Sequence, residues 1–224
     1  IPYLLNFHEP FALISTGTWC ITLNPFNSSQ LTAEELEQDC LSYLQYTGKP
    51  VKASRIFAGY EHEQQVKRIA THFNQGINRY RTMEYNAGII DKLLKDMRRR
   101  NEPAPVWRKE SAFANRDLSS FLSDNEAYHQ LMLDIAGQQL ASSKLVITGN
   151  HVKRIFVDGG FSKNAIYMNL LAMLFPEMEV FAASMAQATA IGTALAIHKC
   201  WNTRPIPNDI IELKYYAANN DLAI

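Results

Sequence analysis

The stretch Ile155–Asn164, IFVDGGFSKN, constrains this chain more than any other. Three apolar residues, Ile155, Phe156 and Val157, run into an acid, two glycines, an aromatic and then Ser-Lys-Asn. An apolar stretch, Ala165–Phe175, follows and stops at Pro176. This order predicts a buried strand, a sharp glycine turn and a helix start. Such a step suits a nucleotide, because glycine lets the backbone come close and a helix N-terminus favours anionic groups. An ordinary strand-to-helix turn carries the same pattern, so this stretch alone does not decide between the two.

A second glycine turn lies far upstream. Phe11–Ile14 (FALI) and the alternating Trp19–Leu23 predict two strands joined by Ser15-Thr16-Gly17-Thr18, with Asn24-Pro25 closing the pair. Thr32 and Glu35 have the spacing of a capping box. Leu36, Cys40 and Leu44 then repeat at i, i+4, i+8, so a helix is expected up to Gly48-Lys49-Pro50. Val51–Ala58 is expected as a short edge strand. Glu61–Asn74 reads as a helix with Val66, Ile69, Ala70 and Phe73 on one face, and Glu61-His62 is expected to be solvated at its start.

Met83–Met97 reads as another helix, with Gly88 in its first half. A helix-interior glycine costs roughly 0.5–1 kcal/mol relative to alanine, which points to a packing or ligand reason. Asn101–Pro105 breaks the pattern, and Trp107–Asn125 is a polar insertion that Phe113, Leu118, Phe121 and Leu122 are expected to seal. Glu126–Ser143 is a long helix with Tyr128, Leu131, Ile135 and Leu140 on its apolar side. Beyond the opening motif, Glu179–Ala183 is a short strand. In the helix Met185–His198, Ala188, Gly192 and Ala196 repeat every four residues, which fits either a tight contact within the domain or a hinge between lobes. Pro205 and Pro207 are expected to end the fold, leaving Asn219–Ile224 as a tail. With no repeat or flexible linker, residues 1–224 are taken as a single domain.

Composition excludes more than it identifies. The 224 residues, 47% hydrophobic, suffice for a large domain with a real core. Lys+Arg and Asp+Glu each number 22, so zero net charge speaks against nucleic acid or a membrane surface as partner. Arg98-Arg99-Arg100 reads as a solvated cationic helix end. Cys20, Cys40 and Cys200 form no CxxC pair, and a cytoplasmic setting is expected. The histidines show no metal-site spacing. No apolar stretch is long enough to span a bilayer, and no signal-peptide pattern is present. The chain begins Ile1-Pro2, is expected to enter a strand almost at once, and reads as a piece of a longer protein.

Three motifs in order carry a resemblance. ISTGTW (Ile14–Trp19), VDGGFSKN (Val157–Asn164) and AQATAIGTALA (with Gln187, Ala188 and Gly192) resemble the second phosphate motif, the adenosine motif and the second connecting helix of FGGY carbohydrate kinases. The ISTGTW version is similar to rhamnulokinase-like members, and the likeness runs from about Phe11 to His198. Gln187, where many members have Glu, and the Ser184-Met185-Ala186 lead-in depart from the pattern.

The resemblance implies an α/β, ribonuclease H-like (actin-like ATPase) lobe: a mixed sheet, an antiparallel strand pair at the start and helices on both faces. It implies that Thr16, Gly17 and Thr18 face the terminal phosphates of ATP. Gly159 and Gly160 would lie under the adenosine and its α-phosphate, Asn164 would hydrogen-bond the nucleotide, and Gly88 would flank the adenine. The cofactors implied are ATP and Mg2+. The acceptor would be a ketose such as rhamnulose, fuculose or xylulose, held through an N-terminal lobe that this chain does not contain. No catalytic residue or metal ligand is assigned, because the base is expected just upstream of Ile1; Glu9 adjoins Pro10 and reads as a loop residue. A homodimer stays open, as do two other classes: a non-catalytic actin-like module and a Rossmann-like nucleotide enzyme, the latter to be favoured by a parallel-only sheet.

Overall fold

The computed structural model describes residues 1–102, 112–185, 187–207 and 209–217. A short helix, α1 (Pro2–Asn6), comes before the first strand, not the strand expected at once. Strands β1 (Phe11–Thr16) and β2 (Cys20–Asn24) form the expected hairpin around Gly17. Helix α2 (Ala33–Glu37) is followed by β3 (Cys40–Leu44), β4 (Pro50–Ile56) and the helices α3 (Ala58–His72), α4 (Ala87–Arg99) and α5 (Asp124–Ile147). The chain returns to the sheet through β5 (Arg154–Gly159), then α6 (Ala165–Leu174), β6 (Glu179–Ser184), α7 (Ala188–Ala196), α8 (His198–Trp201) and β7 (Glu212–Tyr216).

The strands form one mixed sheet in the order β3-β4-β2-β1-β5-β6-β7. The centre, β1, β5 and β6, is parallel, while β2, β4, β3 and β7 join antiparallel. That mixture removes the Rossmann-like alternative. Because side chains alternate along a strand, β5 sends Ile155 and Val157 into the large core under α5 and α6. Phe156 points the other way and meets Tyr3, Phe7, Phe11 and Phe181 beneath α1. The register of β1 on β5 pairs Thr16 with Gly159, so the two glycine turns leave the sheet side by side.

Helix α5 is buried along most of its length, although its last turns read polar. Most of those groups are satisfied internally, as buried polar groups generally are, the Ser142 hydroxyl being an exception. Gln139 donates to Thr22 and Ser143, Ser54 donates to the Ser142 carbonyl, and Asn24 and Asn27 both donate to the Val146 carbonyl.

Several expectations are corrected. The capping box of Thr32 and Glu35 is present, yet α2 ends at Glu37. Asp39 takes φ 59° and turns the chain, so Cys40–Leu44 is a strand paired with β4. Leu36 and Leu44 are exposed, and the apparent helical stripe was a coincidence of spacing across a turn. Strand β4 is not an edge, because β3 covers it. Leu122 is 83% exposed and seals nothing, whereas Phe113 and Leu118 are buried. Residues 103–111, including Trp107 and part of Asn101–Pro105, lie outside the described residues.

The small-residue helix starts later than expected, at Ala188, after Gln187 in the left-handed region with φ 51°. Its buried Gly192 packs toward Pro2 of α1, a contact within this chain. Pro205 and Pro207 do not end the fold, since β7 follows and pairs with β6. The tail, Asn219–Ile224, and Ala186 lie outside the described residues.

Candidate functional site

Two backbone turns about 140 residues apart are held together by one hydroxyl. Thr16 Oγ1 donates to the Asp158 carbonyl at 2.6 Å and accepts from the Phe161 N–H at 3.0 Å. Gly159 makes this approach possible. Its φ of 93° and ψ of −152° suit glycine alone, and a Cβ there would lie 1.9 Å from the Thr16 carbonyl oxygen. Gly160 is different: nothing lies within 4 Å of where its Cβ would be. The first glycine is needed for packing, and the second keeps space open.

That space belongs to a cleft of about 730 Å³ lined by Thr16, Gly17, Gly160, Asn164 and the segment Tyr80–Glu84, among others. A third glycine helps to build it. A Cβ on Gly59, at the start of α3, would lie 1.8 Å from the Gly17 carbonyl oxygen. The Gly59 and Tyr60 N–H groups both donate to the Thr18 carbonyl, at 3.1 and 3.2 Å, so α3 seats directly on the hairpin tip. Arg81 and Lys163 bring cations to the wall, and Glu84 brings a carboxylate.

Four of the expected residues, Thr16, Gly17, Gly160 and Asn164, line this one cleft, with Gly159 directly behind it. Thr18 is exposed at the hairpin tip, beside the lining. Gly88 sits in the exposed first turn of α4, capped by Asn86, and does not line the cleft. The side chain of Asn164 is already committed as the N-cap of α6. Its Oδ1 accepts from the Ile166 and Tyr167 N–H groups, and its Nδ2 donates to Tyr128 Oη at 2.7 Å.

His62 overturns another expectation. It is 8% exposed on the cleft wall, packed edge-on against Tyr80, Tyr128 and Phe161. Burial lowers its pKa to about 4, so the ring is neutral at pH 7. Its Nε2 lies 2.9 Å from Tyr128 Oη. With the Asn164 amide donating to that oxygen, the arrangement that also pairs the phenol hydrogen has Tyr128 donating to His62 Nε2, and the imidazole proton is assigned to Nδ1 on that ground. His129 anchors the neighbouring loop in the same way, with Nδ1 donating to the Asn125 carbonyl and Nε2 accepting from the Asn86 N–H. Burial lowers its pKa too.

Asp158, at the end of β5, is half-buried and accepts from the Gly159 N–H at 2.7 Å; burial pulls its carboxyl pKa upward. Glu9 pairs with Lys153 and Arg154 at the opposite end of β5 from the cleft. Among the described residues no group of three or more His, Cys, Asp or Glu gathers as a metal site.

Sequence reasoning missed Gly59, Arg81, Lys163 and the Tyr80–Glu84 wall. Gly59 was legible in principle, as a glycine opening a helix directly after a strand. Nothing local marks Arg81, because its place depends on how α3 packs against α5.

A family model described as Carbohydrate kinase FGGY, C-terminal domain, matches residues 8–205. No match is found among curated proteins. Among solved structures, the chain is similar to a carbohydrate kinase from Novosphingobium aromaticivorans, with TM-score 0.65 and 19% identity over 97% of this chain and 46% of that one. It is similar to xylulose kinase from Bifidobacterium adolescentis, with TM-score 0.61 and 15% identity over 97% and 42%. It is also similar to gluconate kinase from Lactobacillus acidophilus, with TM-score 0.63 and 14% identity over 94% and 43%. This chain therefore spans less than half the length of each of them.

Proposed function

The chain belongs to the FGGY carbohydrate kinases as a C-terminal domain, and from that premise we propose that residues 1–224 form, as a single domain, the nucleotide-binding lobe of an enzyme that moves the γ-phosphate of ATP to a sugar hydroxyl. The observation that carries this reading is the pair of glycine turns locked by Thr16 and opening on one cleft. Backbone turns with hydroxyl neighbours suit phosphates, and the absent Cβ of Gly160 leaves room for a ligand.

In this reading the hairpin tip, Thr16-Gly17-Thr18, faces the terminal phosphates. Gly160 lies under the adenosine, and Asn164 holds the start of α6 against it. Phosphoryl transfer rests on in-line positioning and charge neutralisation, and this lobe supplies positioning of the donor. Mg2+ neutralises phosphate charge when bound with the nucleotide. The described residues of this lobe do not make a site for it alone: Glu84 stands singly on the cleft wall, and Asp158 is engaged by Gly159. The base and the sugar pocket belong to the other lobe, and closure of the two excludes water. The acceptor is a ketose such as rhamnulose, fuculose or xylulose. The setting is the cytoplasm; among the described residues no helix is long and apolar enough to cross a membrane.

The test is ADP release by the full-length parent with a panel of ketoses. Sugar-dependent ADP is expected from the parent and none from the 224-residue chain. Sugar-dependent ADP from this chain alone would refute the division of labour. A parent that binds ATP but phosphorylates no sugar favours the non-catalytic actin-like module instead.

A further inference from the structure

Two walls of the cleft are joined, through the buried helix α5 behind them, by a hydrogen-bonded relay that the phosphate turns do not require. His62 on α3, Tyr128 on α5 and Asn164 at the start of α6 are linked through the single oxygen of Tyr128, at 2.9 and 2.7 Å. His62 and Tyr128 are almost wholly buried, and His62 and Asn164 both line the cleft. The relay has a direction. Asn164 donates to Tyr128, and, with the His62 proton assigned to Nδ1, Tyr128 donates to His62. This fixes the Asn164 amide so that its oxygen faces the Ile166 and Tyr167 N–H groups. Reversing the amide would turn Oδ1 toward the Tyr128 oxygen and leave two helix N–H groups without their cap.

We propose that His62 and Tyr128 are positioning residues for the nucleotide: they hold α3 and the start of α6 at a fixed separation and orient Asn164, so that the cleft is preformed before ATP arrives. This rests on the assignment of the cleft as the nucleotide site. A preformed cleft avoids the ordering cost that binding would otherwise meet. A relay that served stability alone would have no reason to end on two residues of the cleft wall. The neutral state of His62 suits the role, because a protonated ring could no longer accept from Tyr128.

The experiment measures ATP affinity, acceptor-sugar affinity and unfolding temperature for the full-length parent and three variants. Tyr128→Phe removes one oxygen. His62→Leu removes the acceptor, and His62→Gln restores one through its amide oxygen. Tyr128→Phe and His62→Leu are expected to weaken ATP binding by about tenfold, the scale of one net hydrogen bond, with sugar affinity unchanged. His62→Gln is expected to recover most of the loss, which a purely steric effect of leucine would not explain. If Tyr128→Phe does not fold, the two His62 variants decide. Lower unfolding temperatures with unchanged ATP affinity would overturn the proposal and leave the relay a structural brace. A wild-type parent that does not bind ATP would overturn the nucleotide assignment itself, and this inference with it.

Discussion

Replacing each glycine of the pair in turn should have very unequal effects on stability. Gly159→Ala places a Cβ at φ 93° and ψ −152°, a region essentially restricted to glycine that costs about 1–3 kcal/mol. The same Cβ would meet the Thr16 carbonyl oxygen at 1.9 Å, and moving the hairpin tip away costs about 1–3 kcal/mol more. Together these come to about 4 kcal/mol, or a fall in Tm of about 8–16 °C for a chain of this size. Gly160→Ala puts its Cβ into open space with no positive φ, so stability should stay within about 0.5 kcal/mol. Thermal unfolding followed by circular dichroism reads both. A Gly159→Ala variant as stable as wild type would refute the geometry from which the cleft is built.

Other consequences are independent of that pair. Thr16→Val keeps the shape but strips the bridge between Asp158 and Phe161, and should cost about 2 kcal/mol in urea unfolding by leaving a buried N–H unpaired. Arg116 forks onto Asp134, which is 6% exposed, and onto Glu102; Arg116→Ala should cost about 3–5 kcal/mol by stranding a buried carboxylate, read from the shift in urea midpoint. His62 has a pKa of about 4 when folded and its ordinary value of 6.5 when unfolded. The unfolded chain therefore takes up the proton first as pH falls. This contribution, about 3 kcal/mol in full, is present above pH 6.5 and lost between 6.5 and 4. His62→Gln should flatten that part of the stability–pH curve, and an unchanged slope would argue against a buried neutral ring.

How much was legible in the residues follows from physical locality. The two glycine turns, the strands leading into them and α5 were readable because each rests on a short pattern of apolar residues, closed at Gly159 by the one residue type that permits the backbone turn. Cys40–Leu44 misled because a period of four crossed Asp39, whose positive φ leaves no trace in hydrophobic spacing. His62 was misjudged because a histidine near a helix start is usually solvated. Its burial depends on Tyr80, Tyr128 and Phe161 arriving from three other segments. Strand β7 was hidden behind two prolines, its pairing with β6 decided only in three dimensions. The resemblance could name Asn164 but not its commitment as a helix cap, which is a property of the folded turn.

The central claim, that the cleft beside Gly160 holds ATP, is tested most directly by calorimetric titration of the full-length parent carrying Gly160→Val. The added side chain would project into space that is empty in the folded lobe. Loss of ATP binding with sugar affinity and unfolding temperature near wild type is the expected result. ATP affinity unchanged from wild type in a folded Gly160→Val protein would contradict the assignment of this cleft.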